Sequence, residues 1–342
     1  MISFRNGSKS TENNSEMLFV ERPCTDPFFN LAAEEYVFRN FTEDDVIMLW
    51  RNAPSVIVGK HQNPYREINV EFVRENHLPV IRRISGGGTV YHDPGNLNFT
   101  FIRSLQSRYM VDYTAFLQPV ISVLNRWQIP CERSGKSDLI VHQHKISGNS
   151  QHIFKNRVLH HGTLLYSTDL ENLTKALAGN TARYTDKSIR SNPADVANIS
   201  AFLNDPPPVE IFQERLAEEL MNSFSPARRF PLSASDEKDI RTLSQEKYRT
   251  WEWNFGYAPP YQVSATFHAH GKEIKIQVSV HNGIVRKINI FEPLAVAGWS
   301  VLFRQMEGLR HEEQSLRQYL DSHRELMADL ELTPQDVLRE LF

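Results

Sequence analysis

The sequence predicts an α/β (α+β) protein, a mixed β-sheet domain carrying helices and followed by a smaller C-terminal α+β domain. Three observations predict it. Two β-rich blocks, 45–103 and 137–167, are separated by a stretch of helical spacing. At 342 residues the chain exceeds the roughly 250 that one core usually serves. Hydrophobic residues at 40% and charged residues at 23% match an ordinary globular chain.

The apolar run MLFV reads as a strand. Asp26 then offers an N-cap and Pro27 a first helical position, and Phe29, Ala32, Ala33, Tyr36 and Val37 recur at the spacing of one buried helical face to about Asn40. VIMLWR, SVIVGK, LPVIRR and NLNFTFIR read as strands between turn residues, with a short helix in EINVEFVRENH carrying Phe72 and Val73 inward. Residues 113–127 return to helical spacing (Phe116, Val120, Val123, Leu124, Trp127), although Pro119 belongs near a first turn. SDLIVHQHKISGN and a strand in HIFKNRVLHHGTLLYS form the second β block, and helices are expected at 169–179 and 209–224. The polar stretch 225–250 marks a boundary, which divides the chain into a catalytic domain at 17–245 and a small domain at 250–342. The clearest element of the small domain is a hairpin turning at Asn282-Gly283, and the domain ends in helices near 294–309 and 311–323 and a short terminal one.

Composition excludes several classes of function. The net charge of −3 offers no positive field for nucleic acid. Cys24 and Cys131 have neither disulfide-framework nor zinc spacing, so a reducing compartment is expected. No run of about 18 apolar residues is present to span a membrane, and residues 1–16 read as a disordered polar tail without a secretory segment. A cytoplasmic location follows as an expectation.

Chemistry concentrates in three segments. In Arg82-Arg83-Ile84-Ser85-Gly86-Gly87-Gly88-Thr89-Val90-Tyr91-His92, three glycines between β-like runs invite close approach to the backbone, and their amides suit an anion beside the arginines. The alternative is a plain turn with a solvated arginine pair, and the flanking Asp93-Pro94-Gly95-Asn96 tells against it. A Walker loop fails because position 130 is proline, and a Rossmann fingerprint fails because the glycines run into a strand pattern. The second segment sets Asp138 ahead of Lys145-Ile146-Ser147-Gly148, where a fixed ammonium could stabilise an acyl phosphate; alone, such a lysine is usually just solvated. The third is His160-His161-Gly162-Thr163, where strand alternation lets only one histidine line a given pocket. His142, His144, His160 and His161 have no recognised zinc spacing.

The ordered set DPFFNLAAEEYVFR, LWRNAPSVIVGKHQNPYREIN, RRISGGGTVYHDPGNLNFTF, SDLIV, KISG, HHGTLL and TWEWNFGYAPP resembles the lipoate-protein ligase A family, within the biotin and lipoyl ligase superfamily, over almost the whole chain. The resemblance implies a mixed-sheet ligase domain plus a small C-terminal domain. It implies that Arg83, Ser85, Gly86, Gly87, Gly88, Thr89, Val90 and Tyr91 form an adenylate-binding loop, and that Lys145 contacts the acyl carbonyl and the phosphate. It further implies that Asp138 meets Mg2+ or the incoming amine, that His92, His161 and Thr163 line the pocket, and that Trp50, Val58 and Gly59 wall the lipoyl tail. Asn149-Ser150-Gln151-His152 departs from the usual continuation after KISG.

The implied activity is a lipoate-protein ligase that uses ATP and Mg2+ to make lipoyl-AMP. It then passes the lipoyl group to a lysine on lipoyl domains of 2-oxoacid dehydrogenase E2 subunits and the glycine cleavage H protein. Rival readings are a lipoyltransferase fed with preformed lipoyl-AMP or a lipoylated donor, and a non-catalytic lipoate-binding protein. An octanoyl transferase would need a cysteine that the segment after HHGTLL lacks.

Overall fold

The computed structural model describes residues 16–21, 24–104, 112–224, 226–269, 271–291 and 297–342. The expected tail therefore lies outside the described residues apart from Glu16, as does the start expected near 294 for a C-terminal helix.

An eight-stranded mixed sheet carries the larger part of the chain, in the order Ala227–Phe230, Met17–Val20, Asp45–Trp50, Asn96–Ser104, Arg157–Leu165, His144–Phe154, Asp138–Val141, Cys131–Ser134. The first two neighbouring pairs are parallel and the rest antiparallel. The HIFKNRVLHHGTLL run is not one strand. Lys155-Asn156 turns it into a hairpin, with Lys155 in the left-handed region at φ 56°.

On one face of this sheet the helix Tyr113–Arg126 buries Phe116, Val120, Val123 and Leu124, as its spacing predicts. Pro119 sits inside the helix, beyond the first turn expected for it, because the apolar face continues on both sides and its burial outweighs one missing donor.

On the other face lies the helix Pro27–Asn40, capped by Asp26, whose carboxylate accepts from Phe28 N at 3.0 Å. It is not a one-faced helix. Asn30, Leu31, Glu34 and Glu35 are buried along with the apolar stripe: Asn30 and Glu34 bond toward the sheet, to Arg51 O and Asn52 and to Thr100 and His161, while the helix Ala234–Leu243 with Lys247 and Tyr248 packs back over Glu35. The polar stretch 225–250 is thus part of the larger unit, not a bare linker.

Beside the large sheet, Ser55–Val58 pairs in parallel with Val80–Arg82 and antiparallel with Val90–His92. These three short strands suspend the glycine turn, residues 83–89, above the strand Arg157–Leu165.

The C-terminal hairpin forms as predicted, Lys272–His281 returning through Asn282 (φ 51°) and Gly283 (φ 70°) into Ile284–Phe291. Its sheet gains the strand Tyr261–Ala269 and also Tyr184–Asp186 from the preceding region. Helices Ala297–Arg304, Glu313–Asp321, Arg324–Asp329 and Pro334–Leu341 complete this unit, two where one short terminal helix was expected. No helix among the described residues is long and apolar enough to cross a membrane.

Candidate active site

A cavity of about 280 Å³ opens between the glycine turn and the exposed end of the large sheet. Eleven of the residues singled out in the sequence line it: Trp50, Arg83, Gly87, Gly88, Thr89, Val90, His92, Asp138, Lys145, His161 and Thr163. Lys145 comes from the strand His144–Phe154 and Asp138 from its neighbour, and their side chains pair at 3.0 Å (Nζ to Oδ2). The pair stays partly open to solvent, at 25% and 35% exposure, so the ammonium is fixed yet reachable. Lys145 is further anchored by its backbone, which donates to Asp195 O and accepts from Ala197 N.

Arg83 builds the turn from inside. Its guanidinium donates to Ser85 Oγ (3.0 Å), Ile57 O (3.1 Å), Gly86 O (2.6 Å) and Gly88 O (2.7 Å). Burial lowers its pKa to about 10, so it remains a cation at neutral pH beneath a turn otherwise made of backbone. Gly87 takes φ +84°, and Gly59 packs so closely that a Cβ there would stand 2.1 Å from Gly87 O.

Under the turn runs a buried chain of polar side chains. Trp50 Nε1 donates to Thr100 Oγ1 (3.0 Å), Thr100 Oγ1 donates to Glu34 (2.7 Å), and Glu34 receives His161 Nδ1 (2.9 Å). His161 Nε2 meets Ser85 Oγ at 2.6 Å. His92 is held neutral: burial first, then Arg83 and His161, lower its pKa to about 3. Asn52 Oδ1 accepts from Asn30 Nδ2, so its amide nitrogen donates to His92 Nδ1 (3.0 Å), which leaves the ring proton on Nε2.

Only one histidine of the adjacent pair lines the cavity, as strand alternation requires. His160 faces the opposite core, stacked on Phe116 with ring centroids 5.0 Å apart. The same parity corrects one expected wall residue, Val58, and one expected member of the adenylate-binding loop, Tyr91. Val58 and Tyr91 point away into a separate apolar cluster, so Ile57, with Val90 and His92, takes their place. Ser85, Gly86 and Gly59 shape the turn from behind without lining the cavity. The expectation that both arginines face an anion also needs correction for Arg82. Its guanidinium is spent on the carbonyls of Gly59, Lys60, Gln62, Trp253 and Asn254, and so ties the turn's support to the segment after residue 250.

Sequence reasoning did not find Leu31, Asn98, Ser150 or the segment Ile189–Asn192, all of which line the cavity. Ser150 Oγ donates to Gly86 O at 2.9 Å, so the departure from the usual pattern after KISG still serves the turn. Ser191 Oγ accepts from Thr89 N (2.9 Å) and donates to Glu67. No motif marks 189–192, because its polar residues read as ordinary loop. Among the described residues no cluster of three acidic, histidine or cysteine side chains could hold a metal by itself, and Asp138 is the one carboxylate of the cavity lining.

A large mixed sheet followed by a C-terminal α+β unit is the architecture of the biotin and lipoyl ligase fold. The profile of the lipoyl protein ligase A/B catalytic domain matches residues 26–221. Lipoate-protein ligase 1 of Staphylococcus aureus is 36% identical over 301 residues, 86% of this chain and 92% of the relative. Lipoate-protein ligase A, solved bound with ATP, superposes with a TM-score of 0.58 at 25% identity, covering 71% of this chain and 99% of that one. The bi-partite lipoate protein ligase of Thermoplasma acidophilum, described with its E2 lipoyl domain, gives 0.60 at 24% identity over 71% and 96%, a likeness of fold. The chain belongs to the lipoate-protein ligase family.

Proposed function

We propose that the chain works in two half-reactions within the one cavity. In the first, a lipoate carboxylate oxygen attacks the α-phosphorus of ATP, the bond to the β-phosphate oxygen breaks, and pyrophosphate leaves. In the second, the neutral amine of an acceptor lysine attacks the carbonyl of lipoyl-AMP, AMP departs, and the amine's proton is lost as the amide forms.

The observation that carries this reading is that Lys145 and the Gly87-Gly88 backbone line the same cavity, with Asp138 the one carboxylate of its lining. A fixed ammonium and a cationic turn lower the cost of charge that grows on the phosphate and carbonyl oxygens. The apolar side chains Leu31, Trp50, Ile57 and Val90 suit an alkyl tail. Thr89, Ser191 and Asn192 offer hydrogen bonds to a nucleotide at the other side of the turn.

Mg2+ fits as a companion of the nucleotide. It is commonly held by one or two carboxylates plus phosphate oxygens, and Asp138 supplies one. Bound there, the ion would add positive charge beside the phosphates; Asp138, paired with Lys145, otherwise accepts the proton shed by the acceptor amine.

The acceptors we assign are lipoyl domains of 2-oxoacid dehydrogenase E2 subunits and the glycine cleavage H protein, and the compartment is the cytoplasm. We also assign the catalytic unit to 17–245 and the small unit to 250–342, the latter completed by Tyr184–Asp186.

The test is incubation with lipoate, ATP, Mg2+ and labelled pyrophosphate. Lipoate-dependent exchange of label into ATP is expected. No exchange, with transfer only from synthetic lipoyl-AMP, would replace this reading with the lipoyltransferase.

A further inference from the structure

Beyond the active cavity, the same sheet face continues into a second hollow of about 610 Å³, walled by the tip of the hairpin and by residues that follow position 250. Along the strand His144–Phe154, alternate side chains share a face, so Gly148 and Ser150 line the active cavity while His152 and Phe154 line this hollow. The six-residue step from Gly148 to Phe154 covers about 20 Å at the usual strand rise. That distance fits within the face of one small folded domain, roughly 30 Å across.

The hollow is apolar and basic at once. Phe154, at the hairpin tip, is 57% exposed and Tyr257, from the segment after position 250, is 46% exposed, and both line the hollow. Its lining carries five cations, Arg39, Lys60, Lys155, Arg157 and Lys247, against the two carboxylates of Glu35 and Glu43. Glu35 is already neutralised twice, by Lys247 and by Arg39. Among the described residues, Lys60 and Lys155 have no carboxylate partner; Lys155 lies over the Phe154 ring at 5.6 Å. Lys60 is also continuous with the active cavity, since its neighbour His61 accepts the backbone hydrogen bond of Ile189, which lines that cavity and is 50% exposed.

Exposed aromatic side chains beside unpaired cations fit a protein surface that is apolar at its centre and acidic at its rim. We propose that this hollow is the docking face for the acceptor protein, which would lay an acidic flank against Lys60 and Lys155, seat an apolar side chain between Phe154 and Tyr257, and so direct its lysine along the strand to Lys145. The proposal rests on the ligase reading for the nature of the partner, but not on the ATP step. A small-molecule ligand in the hollow would not need aromatic groups that face solvent as Phe154 and Tyr257 do.

The test uses the full chain, synthetic lipoyl-AMP as donor and an isolated lipoyl domain with acidic residues around its target lysine, so that loss of ATP activation cannot be mistaken for loss of docking. Lys60→Glu combined with Lys155→Glu, and separately Phe154→Ala, should each raise KM for the lipoyl domain, the charge-reversed pair by about ten-fold or more, with kcat nearly unchanged. The wild-type kcat/KM should fall with salt, and the charge-reversed variant should lose that dependence. A lipoyl domain with its acidic flank changed to lysine should recover much of the lost KM with the charge-reversed variant and bind the wild type poorly. Thermal unfolding of the variants reports that they fold. An unchanged KM and salt response in folded variants, or a fall in kcat alone, overturns the proposal. Failure of pyrophosphate exchange in the wild type, with the KM shifts present, overturns only the activation step.

Discussion

The Glu34 carboxylate holds His161 Nδ1 through both its oxygens, at 2.9 and 3.0 Å, and through that ring it reaches the serine that starts the glycine turn. The contact orients the imidazole, with Nδ1 on Glu34 and Nε2 on Ser85 Oγ, which also accepts from Arg83 Nε. Glu34→Gln keeps the shape and removes the charge, leaving the ring against a poor acceptor. Because the site is buried, a loss of about 1–3 kcal/mol is expected, with a weaker grip on lipoate as the turn loosens. Chemical denaturation and lipoate titration check it; wild-type values for both would show that the contact does not position the turn.

Lys145→Ala addresses the chemistry directly. Removing a preorganised charge donor usually costs about 10²–10³ in rate, so lipoate-dependent pyrophosphate exchange should fall by at least that factor. Stability should move by no more than about 1 kcal/mol, since the Lys145–Asp138 pair is partly solvent-exposed. Near-normal exchange in the variant would remove the role assigned to this ammonium.

How far the sequence could be read depended on the range of the interactions. Asp26 as cap, the stripe on Tyr113–Arg126 and the Asn282-Gly283 turn were all legible because each is decided within a few residues. The site was legible through glycine and lysine, whose chemistry follows from residue type. What stayed hidden was set by partners far along the chain. Glu34 and Glu35 lie outside the apolar stripe that the helical spacing marks, and partners remote in sequence, His161 and Thr100 for Glu34, Lys247 and Tyr248 for Glu35, make them buried anchors. Arg82 read as a phosphate ligand because nothing local reveals that residues 253 and 254 supply carbonyls to it. Val58 in place of Ile57 was a parity error of one residue, which in a strand reverses the face.

Gly59→Ala tests the close packing behind the turn. A methyl group 2.1 Å from Gly87 O cannot be accommodated by a side-chain rotation, because the obstructing atom is backbone. The turn must shift, at a cost of roughly 1–3 kcal/mol, and lipoate affinity should drop with it. Gly135→Ala is not an equivalent control, since Gly135 has open space but a φ of +57°. Gly86→Ala is a fairer one, its nearest neighbour lying 4.0 Å away, and should cost much less. Equal effects at both positions would sink the packing argument.

Acid should unfold this protein earlier than its surface ion pairs alone would dictate. Burial lowers the pKa of His92 and of His160 to about 3, from a usual value of 6.5. Between those values the unfolded chain binds a proton at each ring that the folded chain refuses. The stabilisation is therefore complete above about pH 6.5 and declines as the pH falls, by about 1.4 kcal/mol per pH unit per ring. At pH 5 the two rings together account for roughly 4 kcal/mol, a large part of a typical domain's stability. The expected result is a steep fall in Tm between pH 6.5 and 5. His160→Phe should flatten it, because phenylalanine can keep the stacking against Phe116 while abolishing one titration, at the loss of the bond from Gln151. The quantity to compare is the slope of unfolding free energy against pH, not stability at one pH. If wild type and variant share the same slope below pH 6, His160 is not held neutral and this account of acid sensitivity fails.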